Sequence, residues 1–125
     1  MERIKTKNSE MWIEEDILMI KLRGEIDEEE VKEINKRGIE LLEKIPGKII
    51  YYLVDISDVK KATAGARKAT KNITFVPDVP EKIALVYNNP LTRVLGSMFL
   101  RIAQPKVPTK LFSAIEEAKK WFKEK

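Results

Sequence analysis

Hydrophobic positions along the chain change period several times, and each change marks an element. Residues 11–13 and 17–22 are short apolar runs separated by Glu14-Glu15-Asp16. Within the second, Ile20 and Leu22 alternate with Lys21 and Arg23, so the pattern predicts a hairpin, ended by Gly24. The period then lengthens: Val31, Ile34, Leu41, Leu42 and Ile45 share one helical face with Gly38, before Pro46-Gly47 stops the helix. Asp27 and Glu30 have the spacing of a capping box at its start. Residues 49–56 (IIYYLVDI) are almost continuously apolar, as expected of a strand buried on both faces of a parallel sheet.

Ala62, Ala66, Ala69 and Ile73 then define a second helix, whose small side chains allow close approach to the sheet. Residues 82–87 (KIALVY) read as another parallel-type strand. Asn89-Pro90 supply an N-cap and first helical residue for a helix running to about Ala103. Residues 110–112 form a short last strand, and Ser113 with Glu116 a second capping box. The helix they open buries Ile115, Ala118 and Phe122. A hairpin followed by helix–strand units predicts one α/β domain over residues 1–125. Its sheet is mostly parallel, with about five strands and four helices.

Cysteine and histidine are both absent, which excludes disulfides, thiolate or imidazole metal sites, and every triad with a histidine base. The five glycines permit neither GxGxxG nor GxxxxGK[ST]. No metal site or cofactor is expected, and the sequence predicts a protein that is not an enzyme. No apolar stretch is long enough to span a membrane and residues 1–10 lack a secretion signal's apolar core, so a cytoplasmic protein is expected. The high charged fraction, rich in Lys, Glu and Ile with Gln104 as the one glutamine, resembles a thermophile's composition.

Charge is unevenly distributed. Residues 10–43 hold 12 acids against 5 bases, whereas residues 59–77 hold 5 bases and no acid, so an acidic and a basic face are expected. Ligands of open α/β sheets approach the carboxyl ends of the strands. Here those ends bring Asp55 and Ser57 after one strand and Asn88 after the next, while helix amino termini near Thr63 and Arg93 point at the same rim. These five residues are the candidate rim for a partner protein or small anionic ligand, with Lys60 and Lys61 as further anion contacts.

The helix beginning at Leu91 is over-apolar for a surface helix, since its apolar residues span about half its circumference. Either it is deeply buried, or Leu91, Leu95, Met98, Phe99 and Ile102 form an open groove or homodimer seam. The second case admits an alternative function as a carrier of a lipid or other hydrophobic ligand. A third reading, a magnesium-dependent enzyme, has only Asp55 and Asp58 in its favour. Nucleic acid is not an expected partner, because the aromatic residues lie in core-like contexts.

The order hairpin, Gly24-Glu25-Ile26-Asp27, acidic helix, and a strand closing on Val54-Asp55-Ile56-Ser57-Asp58-Val59 resembles the STAS fold of sporulation anti-sigma factor antagonists. The runs Asn89-Pro90-Leu91-Thr92-Arg93-Val94-Leu95 and Phe99-Leu100-Arg101, with Leu111-Phe112, resemble its SpoIIAA-like branch, whose fold is related to CRAL-TRIO lipid-transfer domains. The similarity extends over about residues 9–123. It implies regulation or ligand binding without catalysis. In the antagonists a serine in a D-S-S-G turn is phosphorylated by a partner kinase. The corresponding stretch here is Lys61-Ala62-Thr63-Ala64-Gly65, which places Thr63 at the phosphoacceptor position after a one-residue adjustment. Ala62 and Ala64 stand where that motif has its acid and its second serine.

Overall fold

The computed structural model describes residues 3–45, 47, 49–70, 80–103 and 106–124, the side chains of Ile102 and Ala103 aside. Among them lie six strands and four helices: β1 (Ile4–Lys5), β2 (Ser9–Glu14), β3 (Ile17–Ile26), α1 (Glu28–Glu43), β4 (Tyr51–Ala62), α2 (Ala64–Ala69), β5 (Lys82–Val86), α3 (Pro90–Ala103), β6 (Thr109–Phe112) and α4 (Ile115–Phe122). One sheet joins the strands in the order β1-β2-β3-β4-β5-β6. The β1–β2 and β2–β3 pairs are antiparallel, and every later pair is parallel. The α/β architecture and mostly parallel sheet are as expected. The sixth strand is β1, whose two residues are too few to set up a readable alternation.

Alternation inside the apolar runs sorts side chains between two cores. Met11, Leu18, Ile20 and Tyr52 face Ile34 and Leu41 of α1. Their neighbours Ile17, Met19 and Leu53 face the opposite side, against Ala118, Trp121 and Phe122 of α4. Further along, Ile26, Ile56 and Val59 pack with Ala66 of α2, and Leu95 of α3 closes over them. Three helices therefore cover one face of the sheet and α4 covers the other. Tyr51 stacks on Phe122 with ring centroids 4.5 Å apart.

Two strands run past the ends expected from the sequence. Gly24 does not end β3; it adopts φ +68° inside the strand, and the chain runs on to Ile26. A Cβ there would lie 2.8 Å from Asn8 Nδ2, whose amide donates to the Arg23 carbonyl, so both conformation and space call for glycine. Nor does β4 stop at Ile56. It continues to Ala62, carrying Asp55, Ser57, Lys60 and Lys61 within the strand and not in a loop beyond it. Two bulges make this length fit: Lys21 pairs with Asp55 but Arg23 with Asp58, and Gly24 pairs with Val59 but Glu25 with Lys61. In each interval β4 has one residue more than β3, which bends the strand and frees local backbone groups.

One capping box is half realised and the other is not formed. Asp27 accepts from the Glu30 amide at 2.8 Å, but the Glu30 carboxylate does not reach back. It turns instead to β1–β2, as described below. Ser113 does not cap α4; the N-cap is Ala114, which makes no side-chain cap hydrogen bond. Pro46, Ile73 of the second predicted helix and the side chain of Ile102 lie outside the described residues.

Candidate functional site

The first bulge of β4 lies beside the carboxyl end of β5, whose pairing with β4 stops at Asp55–Val86. Released from the regular ladder, the Ser57 amide donates to Asp55 Oδ1 at 3.0 Å, and Ser57 Oγ donates to the same oxygen at 2.6 Å. The Ser57 carbonyl accepts from Asn89 Nδ2 at 3.2 Å, and that amide group also donates to Asn88 Oδ1 at 2.8 Å. Three of the five candidate rim residues, Asp55, Ser57 and Asn88, are thereby joined with Asn89 in one polar network.

Asn89 is also the N-cap of α3, as the Asn-Pro pair predicts: its Oδ1 accepts from the Thr92 amide at 2.9 Å. Thr92 is fully buried, and its hydroxyl donates to the Asn89 carbonyl while accepting from the Asn88 amide. It fixes the turn from which Asn88 and Asn89 project. Sequence reasoning passed over Thr92; its position three residues after a capping Asn was the available signal.

From this turn an open cavity of about 660 Å³ runs along α3. Its polar lining is Asn88, Asn89, Ser97 and Ser113, with Arg93 and Arg101 as the cations; Tyr87, Pro90, Val94 and Met98 are its apolar part. Such a volume suits a small ligand or a segment of a partner. Neither arginine has an ion pair among the described residues. Tyr87 and Ser97 join residues that the strand-end rule does select, and only their helix and strand positions place them there.

The predicted rim is not one site. Thr63 lies six strand residues beyond Ser57, up to about 20 Å along an extended chain. It is the N-cap of α2, its hydroxyl accepting from the Ala66 amide at 3.1 Å. There it adjoins α1, since a Cβ on Gly65 would lie 3.3 Å from Glu28 Cβ. Thr63, Lys60 and Lys61 do not line the cavity. Asp58 is ion-paired with Lys21 at 3.5 Å, and among the described residues no three acidic side chains converge as a metal site would require.

Deep burial of the apolar helix is not what the structure shows. Among the described side chains of α3 only Thr92 and Gly96 are buried; Leu95 is half-buried against the core, and Leu91 and Val94 are 49% and 56% exposed. Of the five residues expected to form a groove, Met98 lines the cavity; Phe99 is half-buried outside it.

Comparison with known families now decides the relationship: the domain of unknown function DUF7793 matches residues 11–125. The chain belongs to the DUF7793 family. Solved structures show that this DUF7793 chain has a SpoIIAA-like fold. One is an uncharacterised DUF3478-family protein with a SpoIIAA-like fold from Shewanella loihica, at TM-score 0.62 and 14% identity over 96% of this chain and 90% of that one. Another is the anti-sigma factor antagonist SpoIIAA in its unphosphorylated form, at TM-score 0.62 and 13% identity over 94% and 99% of the two chains. No curated protein matches the sequence. Among the described residues, no helix is long and apolar enough to cross a membrane.

Proposed function

We propose that this DUF7793 protein is a non-enzymatic regulatory module that binds a partner protein or a small anionic ligand where the first bulge of β4 meets the carboxyl end of β5. The carrying observation is the cavity along α3, into which the Asn88–Asn89 turn and the two arginines without ion pairs converge. The α3 amino terminus and Arg93 favour an anion there, and Asp55 holds Ser57 so that its carbonyl orients Asn89. The SpoIIAA-like fold supports the reading at the level of architecture.

Titration of the isotope-labelled protein with inorganic phosphate, followed by amide NMR, tests this function. Saturable shifts at Ser57, Asn88, Asn89 and Arg93 are expected; uniform small drifts would reject an anion site. Native mass spectrometry of gently purified protein adds a second readout. A retained lipid would favour the alternative carrier function, which the apolar lining at Val94 and Met98 supports. A phosphate-sized increment that maps to Thr63 would assign a switch to the α2 N-cap.

A further inference from the structure

Leu91 and Val94 are the exposed large hydrophobic side chains among the described residues, and both lie on α3. With Met98 they stand at i, i+3 and i+7, a continuous apolar seam on a helix surface. Arg93, Ser97 and Arg101 follow at i, i+4 and i+8 along one side of that seam. The two arginines are thus two turns apart, about 12 Å along the axis. No Asp or Glu occurs between Glu81 and Glu116, so β5, α3 and β6 hold no acid, and the two acids of β4, Asp55 and Asp58, are engaged by Ser57 and by Lys21.

We propose that the seam is a docking face for an acidic amphipathic helix of a partner protein, its apolar stripe on Leu91, Val94 and Met98 and its carboxylates on Arg93 and Arg101. Charge complementarity and spacing select this occupant. A lone anion meets one arginine and leaves the seam wet, whereas a helix with acids two turns apart meets both and covers the apolar side chains in the same act. The open cavity accommodates the partner's larger side chains against Val94 and Ser97. This inference rests on reading the strand-end rim as a binding surface, and it names the partner chemistry for the part that extends along α3.

The test uses a designed peptide of about four helical turns, with Leu along one face and Glu beside it, against the full chain. Fluorescence anisotropy gives the affinity and amide NMR the location. The expected result is saturable binding of the Leu/Glu peptide with shifts at Val94, Ser97 and Met98. The Arg93→Glu/Arg101→Glu double variant should lose at least about tenfold in affinity and gain binding of the matching Leu/Lys peptide. Leu91→Ser/Val94→Ser should weaken the Leu/Glu peptide comparably, and because both positions are exposed, circular dichroism should show these variants folded.

Equal affinity for the Leu/Glu and Leu/Lys peptides overturns the proposal. So does self-association of the free chain that Leu91→Ser/Val94→Ser abolishes, since a second copy would then own the seam. A co-purified lipid that blocks the Leu/Glu peptide overturns it in favour of the carrier. Failure of peptide binding while phosphate still shifts Asn88 and Asn89 sinks the helix partner alone; silence of those rim amides towards phosphate, with peptide binding intact, sinks the anion site alone.

Discussion

Glu30 is a charged residue in the first turn of α1, yet it is only 7% exposed. Its Oε2 accepts from Thr6 Oγ1 and from the Asn8 amide at 3.1 Å, and Ser9, itself fully buried, hydrogen-bonds Thr6 in turn. This carboxylate ties the β1–β2 connection to the start of α1. In Glu30→Ala both donors lose their acceptor. Hydrogen bonds to a charged group contribute about 1.5–3 kcal/mol each, and an opened site admitting water recovers part of that. Alanine's higher helix propensity returns a few tenths of a kcal/mol. A net loss of about 3 kcal/mol follows, which for a chain of this length lowers the melting temperature by roughly 10 °C. Calorimetric and urea unfolding of Glu30→Ala, Thr6→Val and the double variant would measure it. The coupling between the two substitutions should reach at least about 1 kcal/mol, because they share one hydrogen bond. If Glu30→Ala costs no more than the exposed Glu29→Ala in the same turn, the tie contributes nothing and the argument fails.

Other substitutions probe separate parts of the fold. Glu15 sits at φ 54° in the hairpin turn, so Glu15→Gly should stabilise the protein by about 0.5–1 kcal/mol; an unchanged urea midpoint would show that the turn is unstrained. A Cβ on Gly96 would lie 2.5 Å from Leu111 Cδ2 and 3.3 Å from Ile56 Cδ1. Gly96→Val should therefore cost about 1–3 kcal/mol by overpacking, visible in thermal unfolding. Gly96→Ala should cost less, since a rotation of Leu111 relieves it and helix propensity improves. Hydrogen bonds from Lys119 (2.9 Å) and Trp12 hold the Glu14 carboxyl below its usual range. A depressed carboxylate stabilises the fold above its unfolded-state pKa, and that contribution disappears as pH falls through the folded value. Lys119→Met should thus narrow the stability gap between neutral and acid pH, modestly because the pair is partly exposed; an unchanged acid-unfolding profile would remove the pair from the account.

What the sequence by itself determined was the order and type of the larger elements and the resulting fold. Period-2 and period-3.6 patterns report which side chains must leave water, and this requirement is local enough to read in the runs that became β3, β4, β5 and α1. Asn89-Pro90 likewise announced the start of α3 because N-capping needs only residues adjacent in sequence. The Gly24-Glu25-Ile26-Asp27 and Asp55-Ile56-Ser57-Asp58 motifs carried the resemblance to the STAS fold, and the run from Asn89 to Leu95 that to its SpoIIAA-like branch, whose fold the chain has.

Only the tertiary structure decided where the chemistry collects. β4 outruns β5 by seven residues through two bulges, and a bulge depends on pairing between strands far apart in sequence. That length separates Thr63, Lys60 and Lys61 from Ser57, Asn88 and Asn89, which a list of strand ends had placed on one rim. Glu30 was legible as a capping partner, but Thr6 and Asn8, more than 20 residues earlier, claim its carboxylate. The apolar excess of α3 was visible in sequence, yet not its direction. One helix face meets the sheet through Thr92 and Gly96, because the sheet there is close enough to need small side chains, and Leu91 and Val94 are left to solvent.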